Sequence, residues 1–147
     1  MPGDKDTLPL PPTPAPDGKP HIYVINSDPT FLELIADLLS DTRAHVTLEA
    51  MRPNIEVTLD NLRSARPDLL ILDIVPFRND AEPLLERMEA DDELRHLPVM
   101  AASTSKKAAE AAANEHASLV RDILPKPFDL EDFYAKLESL VAGIQVR

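Results

Sequence analysis

Four apolar runs in this chain each end in polar groups able to do chemistry. Asn26, Ser27 and Asp28 follow HIYVI, Asp73 follows LLIL, Ser103 and Thr104 follow VMAA, and Lys126 follows DILP. A carboxylate, a hydroxyl and an ammonium gathered in one place would form a polar site able to hold or move charge. Taken singly, each has a plainer use. Asp73 would cap the loop after its strand, or pair with Lys126 to tie two strand ends together. Ser103 would cap a helix that begins near Lys106. Their shared position, directly after a strand, is what raises the reactive reading. Other chemistries are missing from the sequence: there is no Gly-rich phosphate loop, nucleophile elbow or metal-ligand cluster, and the four histidines have no ligand-like spacing. With no cysteine, disulfides, thiolate catalysis and Cys-ligated metal centres are excluded.

The elements that must position these groups alternate from residue 21 onward. HIYVIN is a short β-branched run, and PTFLELIADLLS carries Phe31, Leu34, Ile35, Leu38 and Leu39 as a helical stripe. Asp28 is placed as the N-cap of that helix and Pro29 as its first residue. AHVTLEA reads as a half-buried strand, and PNIEVTLDNLRSAR as a helix through Ile55, Leu59 and Leu62 that stops before Pro67. PDLLILDIV is so uniformly apolar that both its faces should be covered. AEPLLERMEADDEL is then a helix, HLPVMAAS a strand, SKKAAEAAANEHA an alanine-rich helix and LVRDILPK a fifth strand. DLEDFYAKLESLVAG closes the chain as a helix with Leu130, Phe133, Leu137 and Leu140 facing inward. Five β-α pairs predict an α/β fold: a doubly wound, five-stranded parallel sheet flanked by five helices. Sites in such sheets form at the carboxyl ends of the strands.

Residues 1–20 are rich in proline and predict an extended, mobile tail, leaving 21–147 as the folded domain. The net charge of -11, with no cluster of Lys and Arg, argues against nucleic-acid binding. The longest apolar runs are too short to span a bilayer, and the N-terminus has neither the basic lead nor the apolar core of a signal peptide. The expectation is a soluble cytoplasmic protein with no membrane contact.

PDLLILDIV, LPVMAAST and ILPKPFDLEDF, in this order and at these spacings, resemble the receiver domain of two-component response regulators, and IYVINSDPTFLELIADLL resembles that family's first strand and helix. The likeness covers residues 21 to about 143, and KPF is its most specific motif. It implies the flavodoxin-like fold of receiver type. It also implies that Asp73 accepts a phosphoryl group from a histidine kinase, that Ser103 hydrogen-bonds that group, and that Lys126 pairs with one of its oxygens across a cis bond to Pro127. Such a site is physically coherent, because a carboxylate nucleophile needs cations to offset charge gathering on the transferring group.

The pattern breaks where the family binds Mg²⁺. Asn26 and Ser27 stand where the resemblance calls for two acidic residues, so Asp73, Asn26 and Asp28 are left to form a weak or absent Mg²⁺ site. One charge pair at about 4 Å is worth roughly 4 kcal/mol at an effective dielectric near 20, and a millimolar affinity is about 4 kcal/mol in total. Ile123 replaces the aromatic residue usual three positions before the lysine, and Pro76 comes one residue early in the DIVPFRND loop, with Ala81 where glycine is common. There is no glycine between residues 19 and 142, which predicts stiff turns.

The expected function is that of a stand-alone atypical receiver, not an independent enzyme. Its partners would be a histidine kinase or phosphotransfer protein, and downstream a protein partner or a homodimer formed through residues 104–142. The alternative is a pseudo-receiver that serves as a protein-interaction module without phosphorylation.

Overall fold

The computed structural model describes residues 19–76 and 81–144. The expected tail, apart from Lys19 and Pro20, and residues 77–80 of the DIVPFRND loop lie outside the described residues. Ten elements alternate without exception: β1 (His21–Asn26), α1 (Pro29–Leu39), β2 (His45–Ala50), α2 (Ile55–Ala65), β3 (Leu69–Asp73), α3 (Ala81–Glu89), β4 (Val99–Ser103), α4 (Lys106–Glu115), β5 (Val120–Pro125) and α5 (Leu130–Leu140). The strands form one parallel sheet in the order β2-β1-β3-β4-β5. This is the doubly wound order in which the chain reverses direction across the sheet between β1 and β3, and the crevice opens there.

Every residue of β3 and β4 is buried, because these strands lie inside the sheet with helices over both faces. Their side chains alternate between two cores with a period of two. Tyr23, Ile25, Leu70, Leu72, Val99 and Ala101 pack with α2, α3 and α4. Ile22, Val24, Leu69, Ile71, Met100 and Ala102 pack with α1 and α5. A one-residue slip of β3 would exchange these sets and bring Asp73 off the sheet edge, so the apolar pattern itself fixes where the carboxylate sits.

Local chemistry sets the helix ends. Asp28, Asn54, Ser105 and Asp129 cap α1, α2, α4 and α5, each accepting a hydrogen bond from a first-turn backbone N–H. At the other end of α2, Arg66 takes the left-handed conformation at φ 43, a position glycine usually fills, and Pro67 follows. Three expectations need correction. Helix α3 ends at Glu89, not near Leu94, because the Asp91 carboxylate accepts from the Glu93 and Leu94 backbone N–H groups and closes a turn instead. Leu34 and Leu130, placed on inward stripes, are 46% and 49% exposed. Both line a shallow apolar cleft with Phe31, Leu38, Pro127 and Phe128.

Candidate functional site at the carboxyl edge of the sheet

The polar groups singled out from the sequence converge. Strand β1 pairs with β3 through Ile25 and Leu72, which sets Asn26 and Asp73 at the ends of neighbouring strands. Asp73 lies opposite Ala102, one residue before Ser103, and the Ser103 carbonyl accepts the Lys126 backbone N–H at 2.7 Å. Four strands thus deliver Asn26, Asp73, Ser103 and Lys126 to one edge.

Asp73 is buried, 6% exposed, at the lip of the most apolar strand. Lys126 Nζ lies 2.9 Å from Asp73 Oδ1 and 3.9 Å from the centroid of the Phe31 ring. Two weak attractions therefore hold the ammonium in place: the carboxylate and the ring face. Phe31 is fixed in turn by an edge-on contact with Phe128, which packs on Phe133, and the row continues to Tyr134, whose hydroxyl donates to the Leu38 carbonyl. The Lys126–Pro127 peptide bond is cis.

Ser103 is fully buried, and its Oγ accepts the Ser105 backbone N–H at 3.0 Å. The cap of α4 is Ser105, whose Oγ accepts from Ala108 N–H; the plainer reading of Ser103 as that cap falls two residues early. Thr104 is exposed. Ile123 is half-buried against the α2–α4 core, and its carbonyl accepts from Lys136 Nζ at 2.7 Å.

The β1 end is built differently. Asn26 is fully buried, its Oδ1 accepts the Asp28 backbone N–H at 2.8 Å, and its Nδ2 has no hydrogen-bond partner. Asp28 is exposed and its Oδ1 accepts the Thr30 N–H at 2.9 Å, the capping arrangement expected from DPT. Ser27 is exposed between them.

This edge can be set beside known proteins. The receiver domain of an HD-domain protein from Pseudomonas fluorescens superposes with a TM-score of 0.68 at 21% identity, over 83% of this chain and 94% of that one. The chain has the receiver fold. The receiver domain of the sensor histidine kinase PA1611 of Pseudomonas aeruginosa, solved with a magnesium ion coordinated in its active-site cleft, gives a TM-score of 0.66 at 18% identity, over 85% and 99% of the two chains. In sequence, the response regulator MprA of Mycobacterium avium is 29% identical over 121 residues, 82% of this chain and 50% of MprA. No family model matches the chain. The curated relatives it matches include response regulators and histidine kinases, and the chain spans about half the length of the former and 8–12% of the latter. In sequence and in fold the chain is thus similar to receivers of two-component signalling. No helix among its described residues is long and apolar enough to cross a membrane.

Two polar clusters of this receiver were not foreseen. Glu49 on β2, 6% exposed, accepts from Tyr23 Oη, from Thr58 Oγ1 at 2.8 Å and from Asn61 Nδ2 at 3.0 Å. Burial and this hydrogen bond push the Tyr23 hydroxyl well above its ordinary pKa. His116, for which the sequence offered no ligand-like spacing, stands between Glu82 and Glu89 with Glu115 beside it. The signal that existed was the seven-residue interval of Glu82 and Glu89, two turns on one helix face.

Proposed function

We propose that this chain is an atypical receiver that accepts a phosphoryl group on Asp73 and signals through a protein partner. The observation that carries this is the Asp73–Lys126 pair at 2.9 Å on the carboxyl edge of the sheet. Lys126 occupies one carboxylate oxygen and leaves Oδ2 as the nucleophile. In the transfer, Oδ2 attacks the phosphorus of a phosphohistidine and the P–N bond breaks. The departing imidazole keeps the electron pair and takes up a proton, and an acyl phosphate remains on Asp73. Lys126 offsets charge on the transferring oxygens. The Ser103 hydroxyl, whose oxygen now accepts from Ser105, keeps its own hydrogen to donate to a phosphoryl oxygen.

For Mg²⁺ the donors fall short. Magnesium asks for carboxylate oxygens in near-octahedral array. Among the described residues, Asp73 is the one carboxylate that faces the edge with an oxygen to spare, Asn26 Oδ1 is taken by the Asp28 N–H, and the Asp28 carboxylate caps α1. No step of the transfer is therefore routed through the metal.

The phosphodonor would be a histidine kinase or a phosphotransfer protein. Downstream, residues 104–142, which take in α4, β5 and α5, are the surface for a protein partner or a second copy of the chain, in the cytoplasm. Helix α4 suits a readout element because only Ala109 and Ala112 of its residues are buried, so little apolar area opposes its movement. A second reading is favoured by the neutral β1 corner: a pseudo-receiver that binds partners without phosphorylation. Intact-mass measurement after acetyl phosphate, with and without Mg²⁺, separates the two. A phosphate-sized gain lost in Asp73→Asn is expected. No gain, even with the cognate kinase, selects the pseudo-receiver.

A further inference from the structure

The groove between α3 and α4 brings together four side chains from two separate stretches of the chain. His116, at the C-terminal cap of α4, is only 4% exposed. Its Nδ1 lies 2.7 Å from Glu89 Oε1, and its Nε2 is hydrogen-bonded to Glu82 Oε1. One ligand atom each from Glu82, Glu115 and His116 lie within 4.8 Å of one another. Glu115 has no hydrogen-bond or ion-pair partner among the described residues.

The buried imidazole distinguishes this set from an acidic patch. A neutral imidazole has one nitrogen that donates and one that accepts. Glu89 can only accept, so it fixes a proton on Nδ1 and leaves Nε2 with a lone pair aimed at a second acceptor, Glu82. Two acceptors face to face require positive charge between them, supplied by a second proton or by a metal ion. Burial alone would lower the His116 pKa, but the hydrogen bonds to Glu89 and Glu82 outweigh it and hold the group above 6.5. A proton satisfies Nε2 and Glu82, yet it gives Glu115 nothing to do. A metal uses all three. The cleft beside them, about 170 Å³, is lined by Glu82, Glu115 and the small side chains of Ala108, Ala111 and Ala112, which leave room for an ion and its waters.

We propose that Glu82, Glu115 and His116 Nε2 form a site for a divalent transition metal such as Zn²⁺. Glu89 is a positioning residue that orients the imidazole by accepting from its far nitrogen, as carboxylates behind metal-bound histidines do. An imidazole with two carboxylates suits zinc and its first-row neighbours better than magnesium. The bound ion joins α3 to α4 and so bears on the helix that follows Ser103. The site is independent of the phosphoacceptor reading.

Calorimetric titration of the full chain with Zn²⁺, in an Asp73→Asn background that removes the strand-end carboxylate, tests this. One ion per chain is expected, with binding that weakens on acidification because the metal displaces a proton from Nε2. Glu115→Gln should weaken it at least tenfold, and Glu89→Gln about 10- to 100-fold. Glu115 is exposed, so its glutamine variant should keep the metal-free melting temperature and far-ultraviolet spectrum. No uptake at sub-millimolar Zn²⁺, or an affinity unmoved by Glu115→Gln, overturns the proposal.

Discussion

The ends of β1 and β3 lie side by side in the sheet, yet they are built on opposite electrostatic terms. At β3 a carboxylate and an ammonium, 7% and 16% exposed at their side chains, meet at 2.9 Å. At β1 a buried neutral amide spends its oxygen on the Asp28 N–H, and the Asp28 carboxylate turns to its own helix. One corner keeps charge aimed at a shared space, and the other has converted its polar groups to local hydrogen bonding. The fold fixes where a group stands, and the side chain there decides whether it faces a ligand or the chain. The orphaned Asn26 Nδ2 fits this division, since an amide serving a turn with its oxygen has no second job for its nitrogen.

The largest effect expected from this contrast is all-or-none. Asp73→Asn should abolish the mass gain from acetyl phosphate while leaving the fold intact by circular dichroism. Persistent labelling would move the acceptor elsewhere and dissolve the comparison. Next in size is restoration of charge at β1. Asn26→Asp with Ser27→Asp should raise Mg²⁺ affinity tenfold or more, because a tenfold gain needs only about 1.4 kcal/mol of the roughly 4 available from one such charge pair. Titration of Mg²⁺ against the labelling rate measures it. If affinity stays flat, the loop after Asp73 limits the metal, and the neutral corner is not the cause.

A third variant probes the charged corner alone. Lys126→Met leaves the Asp73 carboxylate buried without its partner and should destabilise the protein by about 2 kcal/mol, below the full range for buried pairs because Lys126 keeps some exposure. Asp73→Asn should cost less, since the lysine that remains can reach water and keeps the Phe31 ring beneath it. Urea midpoints at neutral pH compare them. The double variant should recover most of the loss, and equal costs for the two single variants would mean that the pair is not desolvated enough to matter.

The charged corner and the frame around it were legible in the sequence because their signals are local. Each strand announces itself by an apolar run, and its last residue marks the edge, so Asn26, Asp73, Ser103 and Lys126 could be placed together before any coordinates. DPT likewise reads as a cap from three residues. What was not legible depends on partners brought from far along the chain. Glu49 is 26 residues from Tyr23, and His116 is 34 from Glu82, so nothing near either residue shows that it is satisfied or by what. Leu34 and Leu130 mislead for a related reason. They match a helical stripe, but a stripe carries no information on how much of it the neighbouring elements cover, and both border a cleft left open. The early end of α3 was hidden because Asp91 reads as an ordinary polar residue until its carboxylate is seen on two backbone N–H groups.

The smallest effect tests the neutral corner on its own terms. If Asp28 serves only to start α1, then Asp28→Ala should cost about 1 kcal/mol of stability, the usual loss for an N-cap, and leave the labelling rate and its response to Mg²⁺ unchanged. Asp28→Ser, which keeps a capping oxygen without the charge, should restore most of that stability. A fall in labelling in both variants would give the carboxylate a second task at the edge. The β1 corner would then be charged after all, through the residue directly after the two positions where the resemblance calls for acids.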